Sequence, residues 1–170
     1  MIAESEVVWY LSGGAGNTAP AASLGGAISG TLISNKTLSG LFGDVTAAQA
    51  AAGITRYRCF YVRLQTANAL GLLAPIRTWI ATQAAGDDSF EIGLDPAGKN
   101  AAAATIVNQT TAPAGVTFSA PTSDAAGLEL PGAPWACGDY AAIWVKDVVP
   151  AEAAALVNDT ATLSVAADTA

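Results

Sequence analysis

The acidic side chains between residues 87 and 95 are the group in this chain that most resembles a catalytic site. Asp87, Asp88, Glu91 and Asp95 lie near one another in the sequence, and a pair of carboxylates can run acid–base hydrolysis of a glycosidic bond. Apolar residues alternate with Glu91, which predicts a strand that points Glu91 toward solvent. Aspartates in turns commonly bond their own backbone. We therefore predict no catalytic residue in this segment.

The loop from Asp95 to Asn100 offers a second possibility, because side-chain and carbonyl oxygens are the ligands of calcium. One of the aspartates at 87–88 would approach from the preceding turn. The spacing does not match an EF-hand loop, however, and Pro96 with Gly98 already explains the segment as a turn. We predict neither a metal site nor a cofactor, and a weak calcium site near Asp95 stays an open alternative.

The chain contains no histidine, which removes Ser-His-Asp triads, Cys-His pairs and imidazole metal ligands. Neither Cys59 nor Cys137 has a CxxC partner that would indicate structural zinc. Both are predicted to be reduced thiols in or near the core, and a disulfide between them is left open. The glycines at 13–16 precede no P-loop lysine and no credible helix. The chain is predicted not to be an enzyme.

Seven basic residues against fourteen acidic ones give a formal charge of −7. Nucleic-acid binding relies on clustered lysine and arginine, and Arg56, Arg58 and Arg63 form the one local basic cluster, among aromatic residues. The longest apolar runs fall far short of the ~20 residues that span a bilayer. The acidic start lacks the order of a signal peptide. We expect no nucleic-acid or membrane partner, and synthesis in a cytoplasm.

The elements that would position these side chains are predicted to be short strands separated by turns, because apolar residues make up 52% and charged residues 12%. Residues 75–80 alternate, which places Arg77 and Trp79 on the face opposite Ile76 and Ile80. The pattern predicts an all-β fold, a single antiparallel β-sandwich of the jelly-roll or Ig-like type. Other strands are predicted at 7–11, 55–63, 89–94, 105–107, 116–119, 128–130, 140–146 and 161–165.

One domain is expected, with residues 1–40 as an extended glycine-rich N-terminal arm and first strand, and residues 41–170 as the sandwich. The arm could wrap around its own domain or reach a neighbouring subunit. In the second case, deleting it should abolish attachment and leave a folded domain. At most one short helix is expected, with Asp44 or Thr46 as N-cap and Gly53 at its end.

Most aromatic residues fall in or beside predicted strands, where core and cross-strand packing are the common roles. Trp135 stands in a proline- and glycine-rich loop and is predicted to be the most exposed tryptophan. A carbohydrate-binding platform would need two or three exposed, coplanar rings. The candidate partner contacts are Trp9, Tyr10, Leu24, Ile28 and Trp135.

Several runs carry a resemblance that covers nearly the whole chain: Trp9–Gly14, Ser23–Ser29, Leu41–Val45, Tyr57–Val62, Trp79–Ile80, Ile92–Gly98, Val116–Ser119 and Ile143–Val145. In these runs the chain resembles small virion structural proteins of tailed bacteriophages and related prophages. None of the runs marks a reaction, since they are strand and turn sequences. The chain departs from the pattern at Gly43, where a second acidic residue is expected, and in an Asn-poor stretch after Val62.

The resemblance implies a virion protein made in the bacterial host cytoplasm. The leading interpretation is a capsid decoration or cement protein on the outer surface of the head, bridging major capsid subunits and homo-oligomeric on the particle. Low charge and abundant small residues suit broad protein contact, and acidity suits an outer surface. The alternatives are a tail, baseplate or fibre-attachment subunit and a host-glycan-binding module that uses Trp135 or Trp79.

Overall fold

The computed structural model describes residues 6–33, 38–65, 73–154 and 160–169. Within them the chain forms eight strands and one α-helix, α1, at Ala47–Ala52. Three 3-10 turns cover Pro20–Ala22, Leu38–Leu41 and Asp124–Ala126. The strands are β1 (Val7–Ser12), β2 (Ile28–Leu32), β3 (Ile54–Leu64), β4 (Leu73–Thr82), β5 (Ser89–Lys99), β6 (Leu128–Glu129), β7 (Tyr140–Val149) and β8 (Thr162–Thr169).

The strands build two antiparallel sheets, one of five strands in the order β2-β1-β3-β7-β5 and one of three in the order β6-β4-β8. The longest ladder joins β3 to β7, from Ile54 opposite Val149 to Arg63 opposite Tyr140. The prediction of an all-β sandwich with at most one short helix is confirmed.

Two predicted strands are wrong, and one observed strand has no counterpart in the prediction. Residues 105–107 and 116–119 belong to a long irregular segment in which Ser119 forms an isolated bridge with Ile92. Pro113 and Gly115 interrupt this stretch, and a proline cannot donate to a strand ladder. Strand β2 escapes prediction because its glycine and serine residues lack a period-2 apolar pattern.

The main core lies between the two sheets and takes alternate side chains from strands such as β1, β3, β4 and β7. Val7, Trp9 and Leu11 of β1 point inward, and the Trp9 and Phe60 rings pack with centroids 5.1 Å apart. From the three-stranded sheet, β4 contributes Ile76 and other buried residues of the predicted inward face. This arrangement leaves each sheet with a second face that points away from the core.

Thr46 is the N-cap of helix α1, the role that the sequence leaves open between Asp44 and Thr46. The Thr46 hydroxyl accepts a hydrogen bond from the Gln49 backbone N–H, and the Gln49 side chain accepts one from the Thr46 N–H. The helix ends at Gly53, whose φ of +74° favours glycine. No helix among the described residues is long and apolar enough to cross a membrane.

Residues 7–32 form part of the sandwich itself. β1 lies between β2 and β3, and it pairs with β3 from Val7 opposite Leu64 to Leu11 opposite Phe60. Trp9 in this strand is buried in the main core. Removing residues 1–40 would therefore delete β1 and β2 and reduce the five-stranded sheet to three strands. We expect such a deletion to unfold the domain.

Candidate interaction surface

The outer face of the five-stranded sheet is covered by the chain's own loops. Cys59 and Tyr61 of β3 and Ala142 and Trp144 of β7 point away from the main core and are all buried. They form a second apolar cluster with Ala103, Ile106 and partly buried residues around them. The covering layer consists of residues 13–27 and 101–119. Both faces are therefore buried from Cys59 to Val62 in β3 and from Ala141 to Val145 in β7, which explains the uninterrupted apolar runs there.

Backbone hydrogen bonds fix the covering layer to the sheet and join its two segments. The Cys59 N–H donates to the Ser23 carbonyl at 2.9 Å, and the Ile106 N–H donates to the Leu24 carbonyl at 3.0 Å. Gly26 and Ala103 form an isolated β-bridge. The glycine-rich segment thus wraps over its own domain, one of the two alternatives left open by the sequence.

Tyr61 links the two covering segments through its hydroxyl group. The hydroxyl donates to the Gly26 carbonyl at 2.6 Å and accepts a hydrogen bond from the Ala103 N–H at 2.8 Å. Burial raises the pKa of Tyr61, and burial likewise raises the pKa of the Cys59 thiol beside it. Both groups are therefore neutral at physiological pH, as expected of packing residues.

The two cysteines have different environments. Both thiols are free; Cys59 is buried beneath the covering layer, whereas Cys137 is exposed. The prediction of a thiol in the core is confirmed for Cys59 and is wrong for Cys137. The loop that carries Cys137 turns its apolar member, Trp135, inward and leaves the thiol at the surface.

Asp95 is the buried carboxylate of the acidic segment. Its Oδ2 accepts a hydrogen bond from the Trp144 indole N–H at 2.8 Å, and its Oδ1 accepts one from the Ala97 N–H at 2.9 Å. Asn100, the other proposed calcium donor, is hydrogen-bonded to Asp139. Among the described residues, no group of three or more histidine, cysteine, aspartate or glutamate side chains could hold a metal ion.

Asp139 organises the loops where the covering layer begins. Its Oδ1 accepts from the Asn100 side chain at 2.6 Å, and its Oδ2 accepts from the Ala136 N–H at 2.8 Å and from the Lys99 ammonium at 3.2 Å. Burial acts to raise the pKa of Asp139. The hydrogen bonds from Asn100 and Ala136 and the charge of Lys99 outweigh it and lower that pKa below its usual range.

Two arginines of the predicted basic cluster point into the sandwich. Arg56 donates from Nε and Nη2 to Asp147 Oδ2 and from Nη1 to the Gly43 carbonyl. Arg58 donates to Gln109 Oε1 at 2.7 Å. Both guanidinium groups lie over the Phe42 ring. Burial of Arg58, with the charge of Arg56, lowers the pKa of Arg58.

At one corner of the five-stranded sheet's outer face, Leu32 and Arg63 are exposed, and the residues around them are partly buried. The corner contains Val8, Tyr10, Leu32, Arg63 and Tyr140, and we call it the exposed corner. Register pairs place Tyr10 beside Leu32 and Val8 beside Arg63, which in turn faces Tyr140. Leu32 is 51% exposed and, with Val107 of the irregular segment, is one of two exposed large apolar residues in the described part of the chain. The Arg63 guanidinium lies 6.0 Å from the Tyr10 ring centroid.

Charge distinguishes the exposed corner from the rest of the surface formed by the described residues. Arg56, Arg77, Lys99 and Lys146 all form ion pairs with carboxylates. In the described part of the chain, no carboxylate forms an ion pair with the exposed Arg63. The corner therefore combines apolar and aromatic groups with an available positive charge on an otherwise acidic protein.

The predicted contact residues separate into three groups. Trp9 and Trp135 are buried in the main core, so the prediction that Trp135 is exposed is wrong. The loop around Trp135 pairs with Leu73, and the indole donates to the Pro131 carbonyl at 2.8 Å. Leu24, Ile28 and Tyr10 are all partly buried against the second cluster, and of these three Tyr10 alone lies in the exposed corner.

Sequence reasoning misses most of the exposed corner. Leu32 lies in β2, which the pattern does not predict, and the sequence groups Arg63 with two arginines that the structure buries. The alternation of the strand could have separated these arginines. Arg63 lies an odd number of residues from Arg56 and Arg58 and therefore points to the opposite face of the sheet. Which face is open depends on where the loops lie.

The outer face of the three-stranded sheet has one partly exposed tryptophan and a surface ion pair. Trp79 is partly exposed there, opposite Ser164 of β8, and Arg77 lies 3.8 Å from Glu129 of β6. The other three tryptophans are buried. A glycan platform built on two or three exposed tryptophans is therefore not formed, and Trp79 stands alone on its face.

Comparison with known proteins identifies no similar protein. No protein-family model, no curated protein and no solved structure matches the sequence or the fold. The surfaces described above are therefore the basis for assigning a function.

Proposed function

We propose that this protein is a structural subunit of a tailed-phage particle, a head decoration protein that packs on neighbouring capsid subunits through the exposed corner. The observation that carries the proposal is the corner itself, where Leu32 and Tyr10 accompany Arg63, a side chain with no ion pair to any described carboxylate. Aromatic residues and arginine are enriched in protein–protein contacts. The phage setting rests on the resemblance described for the sequence.

The contact would combine apolar burial with charge attraction. Leu32 and the Tyr10 ring lose their remaining water contact when a partner covers them, and burial of apolar surface favours association. Arg63 pairs with a carboxylate of the capsid subunit, which would also orient the acidic decoration protein as it approaches. The partner surface should thus present an acidic group beside an apolar patch.

The setting is tested by quantitative mass spectrometry of purified particles from a bacterium that carries this gene. We expect hundreds of copies of the chain per particle, in a fixed ratio to the major capsid protein. A small multiple of three or six would instead place the chain in the tail, baseplate or fibre attachment. Complete absence of the chain from purified particles would refute a virion role.

The surface is tested by exchanging single arginines. Arg63→Gln should lower incorporation into particles about tenfold, the effect of losing roughly 1.4 kcal/mol of binding free energy. Arg77→Gln is the matched control, because it removes the same charge from the outer face of the other sheet and should leave incorporation unchanged. Equal incorporation of both variants would show that the exposed corner is not the contact.

A further inference from the structure

The edges of the two sheets are protected to different degrees. Residue 119 lies alongside the outer edge of strand β5. Ile92 and Ser119 exchange two backbone hydrogen bonds of 2.8 and 3.0 Å. Strand β6 has two residues. In β2, the Thr31 N–H is already bonded to the Ser29 hydroxyl. These three edge strands therefore offer little unsatisfied backbone to another chain.

Strand β8 is the exception. It is eight residues long, and within the described ranges its one partner strand is β4. Among the described residues, no backbone hydrogen bond outside the strand ladders reaches any part of Thr162–Thr169. The ladder with β4 is regular from Leu163 to Ala167, so this stretch of the edge is free of bulges. A row of unpaired backbone groups is a template for another strand.

The side chains of β8 lack the usual devices that block such pairing. Exposed edges are commonly protected by lysine, proline or inward-pointing charges. Residues 162–167 contain none of these and no charged residue at all, in a chain whose formal charge is −7. The outward-facing residues of the regular stretch, Ser164 and Ala166, are small. Two copies that repel each other elsewhere can approach here without like-charge contact.

We propose that β8 pairs with β8 of a second copy, antiparallel and centred on Val165, to join two three-stranded sheets into one six-stranded sheet. The Ser164 carbonyl accepts a hydrogen bond from the Thr78 hydroxyl of β4 at 3.1 Å, so it points toward β4. By alternation, the backbone groups of Leu163, Val165 and Ala167 face the open edge. A twofold axis at Val165 pairs Leu163 with Ala167 of the second copy and Val165 with its own equivalent.

This register also keeps the negative charges at the end of the two strands apart. Asp168 lies opposite Thr162 of the second copy, so the two aspartates are separated by the length of the pairing. Ser164 lies opposite Ala166, which brings two small side chains together on the outer face. The contact uses neither Arg63 nor the rest of the exposed corner. The pairing is therefore independent of the proposed particle contact and can fail while that contact holds.

The test is light scattering after size-exclusion chromatography of the full chain in reducing buffer, at protein concentrations up to the order of 100 μM. We expect a species of twice 16.9 kDa. The double variant Ser164→Glu, Ala166→Glu places each new carboxylate opposite one of the second copy and should weaken the dimer roughly tenfold or more. A wild-type chain that stays monomeric throughout this range would overturn the proposal.

Two matched variants separate a loss of pairing from a loss of fold. Ser89→Glu with Ala97→Glu adds the same charge to exposed positions of β5 and should leave the dimer intact. Mixing the β8 glutamate variant with the corresponding β8 lysine variant should restore a heterodimer by charge attraction. If the glutamate variant remains folded and dimeric, or if the charge-swapped mixture stays monomeric, β8 is not the interface and any dimer uses another surface.

Hydrogen exchange reports the register directly. On dimerisation the amide protons of Val165 and Ala167 should exchange more slowly, while those of Ser164 and Ala166, already directed at β4, should change little. Slowing at Thr31 or Arg63 instead would place the second copy on another surface.

Discussion

The outward faces of the two sheets differ in whether other segments of the chain cover them. On the five-stranded sheet, outward residues such as Tyr61 and Trp144 are large and apolar, and residues 13–27 and 101–119 cover them as a second layer. On the three-stranded sheet, the outward face has Arg77, Trp79 and Glu129 and no comparable layer among the described residues.

The difference shows what decides whether a sheet needs a cover. Strand β4 alternates buried and partly exposed residues, so one of its faces can meet water. Strand β3 buries five consecutive residues, Cys59 among them, and its second face can be stable only beneath other chain. The chain uses its glycine-rich segment and its longest irregular segment for that purpose.

The largest expected effect comes from the same substitution on the two faces. Trp144→Ala beneath the covering layer should lower the free energy of unfolding by about 3–5 kcal/mol, because it removes a fully buried side chain and leaves a cavity. Trp79→Ala on the open face should cost about 1 kcal/mol or less. Urea unfolding of the two variants measures both, and equal losses would show that the faces do not differ as described.

A glycine pair tests how closely the covering layer approaches. Gly25 and Gly14 both have a φ of +91°, but a Cβ on Gly25 would clash with the Ala104 carbonyl, whereas nothing lies within 4 Å of one on Gly14. Gly25→Ala should cost about 2–4 kcal/mol and Gly14→Ala about 1 kcal/mol. In the first variant Cys59, which bonds Ser23 through its N–H, should also react faster with a thiol reagent.

The Cys59 measurement makes the outcome specific to the layer. In the wild-type protein we expect rapid labelling of the exposed Cys137 and slow labelling of the buried Cys59. If Gly25→Ala destabilises the protein without faster labelling of Cys59, the loss lies elsewhere than at the contact between the two covering segments.

A smaller effect is expected from the carboxylate beneath the layer. Asp95→Asn keeps the size of the side chain, but its amide can accept a hydrogen bond through one oxygen where Asp95 accepts from both Trp144 and Ala97. One buried donor loses its partner, at about 1–3 kcal/mol. Glu129→Gln on the open face, where the side chain is 57% exposed, should change stability by less than about 0.5 kcal/mol. A cost from Glu129→Gln that equals or exceeds that of Asp95→Asn would contradict the comparison.

The smallest effect concerns acid. Hydrogen bonds and Lys99 lower the pKa of Asp139 in the folded state, so the unfolded state binds more protons near that pKa. Stability from Asp139 is therefore present above the unfolded pKa of about 3.8 and is lost as the pH falls below it. Because Asp139 holds Asn100, where the covering segment begins, the amides of residues 101–106 should exchange faster in acid.

The control for the acid effect is a variant that cannot titrate at this position. Asp139→Asn should be less stable than the wild type at neutral pH, and its stability should depend less on pH between about 5 and 3. Asp44→Asn, at an exposed position, should retain the wild-type dependence. A pH dependence that is identical in the wild type and in Asp139→Asn would remove Asp139 as its source.

Local patterns determined much of the fold. Alternation in residues 75–80 correctly separates inward Ile76 and Ile80 from outward Arg77 and Trp79, because the side-chain period of a strand is two. The single helix and its end at Gly53 also follow from short-range signals. Imidazole chemistry is excluded by composition alone, because the chain has no histidine.

Only the tertiary structure decided which surfaces are open. The sequence indicates that Trp135 belongs to a loop, but pairing of that loop with Leu73, far away in the chain, buries the indole. Likewise, Tyr10 and Arg63 are neighbours because β1 pairs with β3, which brings the guanidinium to 6.0 Å from the ring centroid. Contacts between residues distant in sequence depend on the register of strands and the path of loops, and no local period encodes either of them.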